Sequence, residues 1–172
     1  MTDSLDSMTV GQLAAHIVNK LGRNTEPFVA RQLRTLLQRE SIIPTERTGE
    51  GEVRTALFSD EAMARASVIL VLNSRYIPHD ELKVAFRCLD NVAEEDKGPA
   101  GKLAINRFAR VLERVREGEE WFFNFYTSPF AEPGGVLSRK PLPVPPLMPG
   151  YTTTIVPLSE HVAPLFAENE AN

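Results

Sequence analysis

The stretch TEPFVARQLRTLLQRESIIPTERTGEGEVRTALFSDE, residues 25–61, decides the reading of this chain. Its opening part has helical spacing: Val29, Leu33, Leu36 and Leu37 fall on one side of a 3.6-residue wheel. Glu26 and Pro27 stand in the first turn. There a carboxylate meets the positive end of the helix dipole, and a proline forfeits no hydrogen bond. The helix predicted from Thr25 ends near Glu40 or Ser41, and its opposite face carries Arg31, Arg34, Thr35 and Gln38. After Ile42-Ile43-Pro44, the segment Thr45 to Phe58 is β-tolerant and broken by Gly49 and Gly51, the pattern of a short two-stranded ribbon. Ser59 then caps a further helix, with Asp60 and Glu61 in its first turn.

Upstream, Thr9 is placed to cap a helix bearing Val10, Leu13, Ala14, Ile17 and Val18, and Gly22 followed by Arg23-Asn24 ends it. The order is helix, turn, helix, ribbon, helix. That order predicts a winged helix-turn-helix unit, whose second helix can enter a major groove while the ribbon reaches neighbouring phosphates. The candidate DNA contacts are Thr25, Arg31, Gln32, Arg34, Thr35, Gln38 and Arg39 on the helix, with Arg47, Thr48 and Arg54 on the ribbon. Arginine can pair bidentately with guanine or grip a phosphate, and Gln and Thr can reach base edges or phosphates.

Downstream, Met63, Ala66, Ile69, Leu70 and Leu72 supply the buried side of the helix capped by Ser59. Pro78 opens another helix with Leu82, Ala85, Phe86 and Leu89. Asn91 to Ala100 reads as a charged linker, and a longer helix is expected from about Lys102, possessing the stripe Phe108, Val111, Leu112 and Val115. Gly118 can end it. The aromatic run Trp121 to Tyr126 has an ambiguous period. Phe130 to Pro149 is rich in Pro and Gly and reads as a loop or extended arm, Thr152 to Val156 is β-prone, and Ser159 can cap a short last helix. The fold class expected is therefore mainly α: a winged helix-turn-helix followed by a helical C-terminal module with a short terminal strand. The domain expectation is residues 8–75 for DNA binding, 76–126 for a helical dimerisation or regulatory region, and 127–172 for a Pro-rich arm with strand and short helix.

Bulk properties bound the function. The chain has 172 residues, 42% hydrophobic and 24% charged, the balance of an ordinary globular protein. The net charge is −4, which does not by itself favour nucleic acid, but arginines recur from Arg23 to Arg54 while much of the acid lies downstream. Acids interleave with those arginines, so one copy should bind modestly and two copies better. The stripe Phe108, Val111, Leu112 and Val115, with Trp121, is the expected dimer interface, and Thr152 to Val156 can add to a sheet across a dimer. Two copies would set two recognition helices about one DNA turn apart on a pseudo-palindrome.

Cys88 is the only cysteine, so no disulfide or multi-thiolate metal site forms within one chain, and it reads as a structural thiol. His16, His79 and His161 lack ligand spacing. The aromatic cluster Trp121, Phe122, Phe123, Phe125 and Tyr126 reads as core or interface before effector pocket. No phosphate-binding glycine loop, nucleophile elbow or second catalytic group beside the acidic pairs is visible, so no enzyme, catalytic residue, cofactor or metal is expected. No apolar run spans a bilayer, and the acidic start from Met1 to Met8 is unlike a secretory leader, so a cytoplasmic, membrane-free protein is expected.

At this point the chain resembles the MerR-like regulators. The resemblance rests on Thr9-Val10-Gly11-Gln12-Leu13-Ala14, Leu33-Arg34, Ser41-Ile42-Ile43-Pro44, Arg47-Thr48-Gly49-Glu50-Gly51 and Phe58-Ser59-Asp60-Glu61, over roughly Thr9 to Leu72. The order of the pieces carries it more than any one motif. Thr35 and Leu36 stand where that family usually has aromatics, and its long coiled-coil helix is not evident. The resemblance implies a transcriptional regulator acting on double-stranded DNA. A phage-type DNA-packaging or recombination accessory protein stays open, as does a protein-interaction adaptor, which the net charge motivates.

Overall fold

The computed structural model describes residues 7–22, 24–49, 54–93, 96, 107–142 and 150–167. A two-residue strand, β1 (Met8–Thr9), leads directly into α1 (Val10–Leu21). The junction is a capping box: Gln12 N–H donates to Thr9 Oγ1 at 3.4 Å, and Thr9 N–H donates to Gln12 Oε1 at 2.9 Å. Gly22 ends α1 at φ 61°, a left-handed position glycine takes without a Cβ clash. Helix α2 (Glu26–Gln38) follows, then the ribbon strands β2 (Glu46–Thr48) and β3 (Thr55–Phe58). β1 adds to that ribbon, giving a three-stranded antiparallel sheet in the order β1-β3-β2. Glu50 and Gly51 at the ribbon's turn lie outside the described residues, as do Asn91–Ala100 in large part and the expected helix start at Lys102.

α3 (Asp60–Ser74) is the spine of the molecule. Ser59 caps it, yet it is not one-sided: every residue from Ala62 to Ile69 is buried, because α2, α4, α5, α6 and the last strand surround it. Its alanines let those neighbours approach closely. The one long polar side chain in this run, Arg65, is held at 2.8 Å by Glu61 and at 2.8 Å by Asp90, with its guanidinium 4.7 Å from the Phe108 ring centroid. α4 (His79–Cys88) begins after Pro78, and α5 (Arg107–Arg116) buries Phe108, Val111, Leu112 and Val115.

The second sheet lies wholly in the C-terminal half. It comprises β4 (Phe122–Ser128), β5 (Ala131–Ser138) and β6 (Thr152–Pro157), antiparallel in the order β5-β4-β6. Two short helices close the chain, α6 (Leu158–His161) and α7 (Ala163–Phe166). Ser159 lies inside α6 and does not cap it; Pro157 holds the N-cap position. α7 returns to α1, where Leu165 C=O lies 2.7 Å from His16 Nε2 and Ala167 C=O accepts from Lys20 Nζ. The buried apolar side chains form one cluster running from Leu13 to Leu165.

These sheets correct the expected fold class. The described residues are not a mainly α winged helix-turn-helix with a helical C-terminal module; they form an α+β arrangement with two three-stranded antiparallel sheets and most of the strand in the C-terminal half. The ambiguous run resolves to a strand from Phe122 on, since its residues pair one by one with β5 and β6; Phe123, Asn124 and Phe125 are all buried, Phe123 between Leu137 and Val156. Of the Pro- and Gly-rich segment Phe130 to Pro149, expected as a loop or extended arm, residues 143–149 lie outside the described residues, and Ala131–Ser138 pairs as β5. It does so because Gly135 lies directly against Phe123: a Cβ there would fall 2.7 Å from the ring's Cζ and 3.1 Å from Cys88 Cβ. A glycine is what lets the backbone run under that ring. Burial beside this strand pushes the Cys88 thiol up from its ordinary pKa, in keeping with a packed rather than a reactive cysteine.

The dimer stripe is corrected as well. Phe108, Val111, Leu112, Val115 and Trp121 are each at most 5% exposed within a single chain. α5 packs on α3 and α7, so the apolar stripe is satisfied by this chain's own core and offers a partner nothing.

Candidate nucleic-acid interface

α2 is held from behind. Val29, Ala30, Leu33 and Leu36 are buried against α1 and α3, which fixes the helix's rotation and aims its other side outward. Arg31, Arg34 and Gln38 on that side are exposed, and Thr35 beside them is half-buried with its hydroxyl donating to Arg31 C=O at 3.1 Å. Thr25, at the N-cap, is exposed and makes no side-chain cap bond. Arg39, at the C-cap, is exposed. Among the described residues, the ion pairs join Arg65, Arg114, Arg116 and Arg139 to acids, and none engages Arg31, Arg34, Arg39, Arg47 or Arg54. Gln32 departs from its neighbours: it is half-buried on the flank of α2 and lines a cavity of about 310 Å3 with Phe28, Val29, Ile17 and Val71.

The exit from α2 is built by backbone. Ser41 N–H donates to Leu36 C=O at 2.8 Å and Glu40 N–H to Leu37 C=O at 3.2 Å, the two bonds of a Schellman motif. Glu40 takes the left-handed position at φ 54°, where a Cβ is strained. Glu40→Gly is therefore expected to stabilise the fold by about 1 kcal/mol, read as a raised urea midpoint at unchanged slope; a lowered midpoint would contradict this account of the turn. Ser41 is fully buried, with Oγ 3.4 Å from His79 C=O, tying this exit to the start of α4.

That tie has an electrostatic consequence. The ribbon's Arg47 and two cations of α4, Lys83 and Arg87, line one cleft of about 690 Å3 at the C-terminal end of α2. Lys83 and Arg87 are one helical turn apart and share a face. Sequence reasoning missed both, because their spacing matches any solvated helix face; only the packing of α4 beside the ribbon brings them to Arg47. Arg47 and Thr48 are exposed on β2, register with Ala56 and Thr55, and leave Arg54 exposed just before β3. Glu40 and Glu46 line the same cleft and temper its charge.

Other groups do not assemble into a centre. Among the described residues, no set of three His, Cys, Asp or Glu is placed to hold a metal ion, and no helix is long and apolar enough to cross a membrane. Of the aromatic cluster, Trp121, Phe123 and Phe125 are core, with Trp121 Nε1–H donating to Glu119 at 3.2 Å. That donated hydrogen bond, aided by Arg114 and Arg139, holds the Glu119 carboxyl below the usual carboxylate range. Comparison with family models, curated proteins and solved structures finds no match for this chain.

Proposed function

We propose that this chain is a sequence-specific, double-stranded-DNA-binding transcriptional regulator that works as a homodimer and carries no catalytic centre. The observation that carries the reading is α2: a helix anchored on one side by Val29, Leu33 and Leu36, whose opposite side presents Arg31, Arg34 and Gln38 free of ion pairs among the described residues. Side chains of that kind on one rigid face match the donor and acceptor edges of a major groove. Arg47, Thr48 and Arg54 on the ribbon, with Lys83 and Arg87 across the cleft, supply the cations for flanking phosphates. The MerR-like order of motifs from Thr9 to Leu72 supports the same reading.

The experiment is to select duplexes from a random pool, then titrate the best one by fluorescence anisotropy across a salt series. Affinity is expected to fall linearly in log–log form, with about 0.9 of slope for each phosphate neutralised. The Lys83→Gln/Arg87→Gln double variant should flatten that slope by about 2 while leaving the preferred sequence unchanged. An unchanged slope removes α4 from the interface. A preference confined to genome-end sites favours the packaging accessory, and no salt-dependent binding at all favours the protein adaptor.

A further inference from the structure

The edges of the two sheets are treated differently. β1 is only two residues long. β2 is edged with Glu46 and Arg47. β5 contains Glu132 and Pro133, and its outer side is covered: Leu137 N–H donates to Asn91 C=O at 2.7 Å and Leu137 C=O accepts from Ala93 N–H at 2.8 Å. Charge, proline, brevity and cover are the usual ways of keeping an edge from pairing. Among the described residues, β6 has none of them along Thr152 to Val156. It reads Thr-Thr-Thr-Ile-Val, five uncharged β-branched residues in a row, closed by Pro157.

The register says which groups face outward. Leu158 N–H donates to Trp121 C=O at 2.8 Å, so Trp121 and Leu158 are a hydrogen-bonded pair, and such pairs alternate along an antiparallel ladder. Thr152, Thr154 and Val156 therefore turn their backbone groups toward β4. Thr153 and Ile155 turn theirs away from the sheet. The same parity places Leu137 of β5 outward, where it is found bonded to Asn91 and Ala93, so the alternation holds across the whole sheet. Among the described residues, no turn, loop or cap backbone bond reaches Thr153 or Ile155.

We infer that β6 pairs with β6 of a second copy of this chain, antiparallel about a two-fold axis at Thr154, joining two three-stranded sheets into one of six. The inference rests on the homodimer of the proposed function and names its interface. The second copy is the occupant because the edge is self-complementary. Thr153 falls opposite the other copy's Ile155 and the reverse, and each such pair exchanges two backbone bonds, so every outward donor and acceptor finds a partner. A register centred one residue later, on Ile155, would bring Pro157, which has no N–H, opposite Thr153. No charge lies on the strand, so no like-charge pair opposes the match. Ile155, one of the few exposed large apolar side chains, would be covered.

Sedimentation velocity of the full chain without DNA tests this. The wild type is expected to be a dimer at about 50 μM, and Ile155→Pro to weaken dimerisation by at least about tenfold. That proline deletes an outward N–H and leaves the β4–β6 bonds in place. Backbone hydrogen exchange serves if the variant misfolds. In wild type, the amides of Thr153 and Ile155 should gain protection as concentration rises, whereas those of Thr154 and Val156 stay protected throughout. A wild-type monomer at that concentration, or a dimer whose Thr153 and Ile155 amides exchange freely, overturns the inference. Loss of DNA binding by α2 variants with the dimer intact would bear only on the DNA reading, so the two can fail separately.

Discussion

Arg34→Ala is expected to weaken binding to the selected duplex by about 1–3 kcal/mol, roughly five- to more than a hundredfold, and to relax sequence preference at one base position. The size follows from geometry. A guanidinium with no competing carboxylate gives two parallel donors to one acceptor pair, and alanine removes both without leaving a buried group unpaired in the protein. Because Arg34 is exposed on a helix backed by Val29, Leu33 and Leu36, alanine should leave the melting temperature where it was. Arg34→Lys should keep part of the affinity, through phosphate-like attraction, and lose the base preference. Anisotropy titrations on the selected duplex and on single-base variants measure all of this, and an affinity identical to wild type removes Arg34 from the interface.

Arg65→Ala should act on the other axis, lowering stability by about 2–3 kcal/mol with DNA contacts untouched. Arg65 has a side chain only 10% exposed, and it binds Glu61 and Asp90 at 2.8 Å each while stacking against Phe108. It thus joins α3 to α5, since Asp90 also accepts from the Phe108 N–H at 3.4 Å. Breaking a fully buried pair costs about 3–5 kcal/mol, and the lower figure here reflects Asp90, whose side chain is 47% exposed and can turn to water. For a chain of this length the melting midpoint should drop by roughly 4–12 °C. Arg65→Met, which keeps length and packing against Phe108, should lose less. A melt indistinguishable from wild type would show that the network contributes nothing net.

The candidate interface and the spine differ in how far a linear reading reaches them. The outward face of α2 needs only helical spacing, and Arg31, Arg34 and Gln38 lie where the wheel places them. Gln32 shows the limit: it stands at the edge of that face, and packing against the Phe28 side draws it into a cavity. Lys83 and Arg87 had no local signal at all. Their relevance comes from Ser41 tying the end of α2 to the start of α4, a contact between residues far apart in the chain.

By itself the sequence determined the local devices: the cap at Thr9, the stop at Gly22, the cap at Ser59, and the apolar sides of α1 and α2. Each depends on hydrogen bonds and periodicities that close within a few residues. Tertiary structure alone decided three things. It made Phe122 to Tyr126 part of a strand, because a short aromatic run fits either period until Leu137 and Val156 supply neighbours on both sides. It turned a Pro-Gly segment into β5, because Gly135 could pass beneath Phe123. It spent the α5 stripe on the chain's own core and, among the described residues, left the outer edge of β6 without a backbone partner. An apolar face announces that it must be buried, but its sequence carries no record of against what; that is settled by contacts across the chain, and here they take the α5 stripe out of the two expected meeting places of two copies and leave the strand Thr152 to Val156.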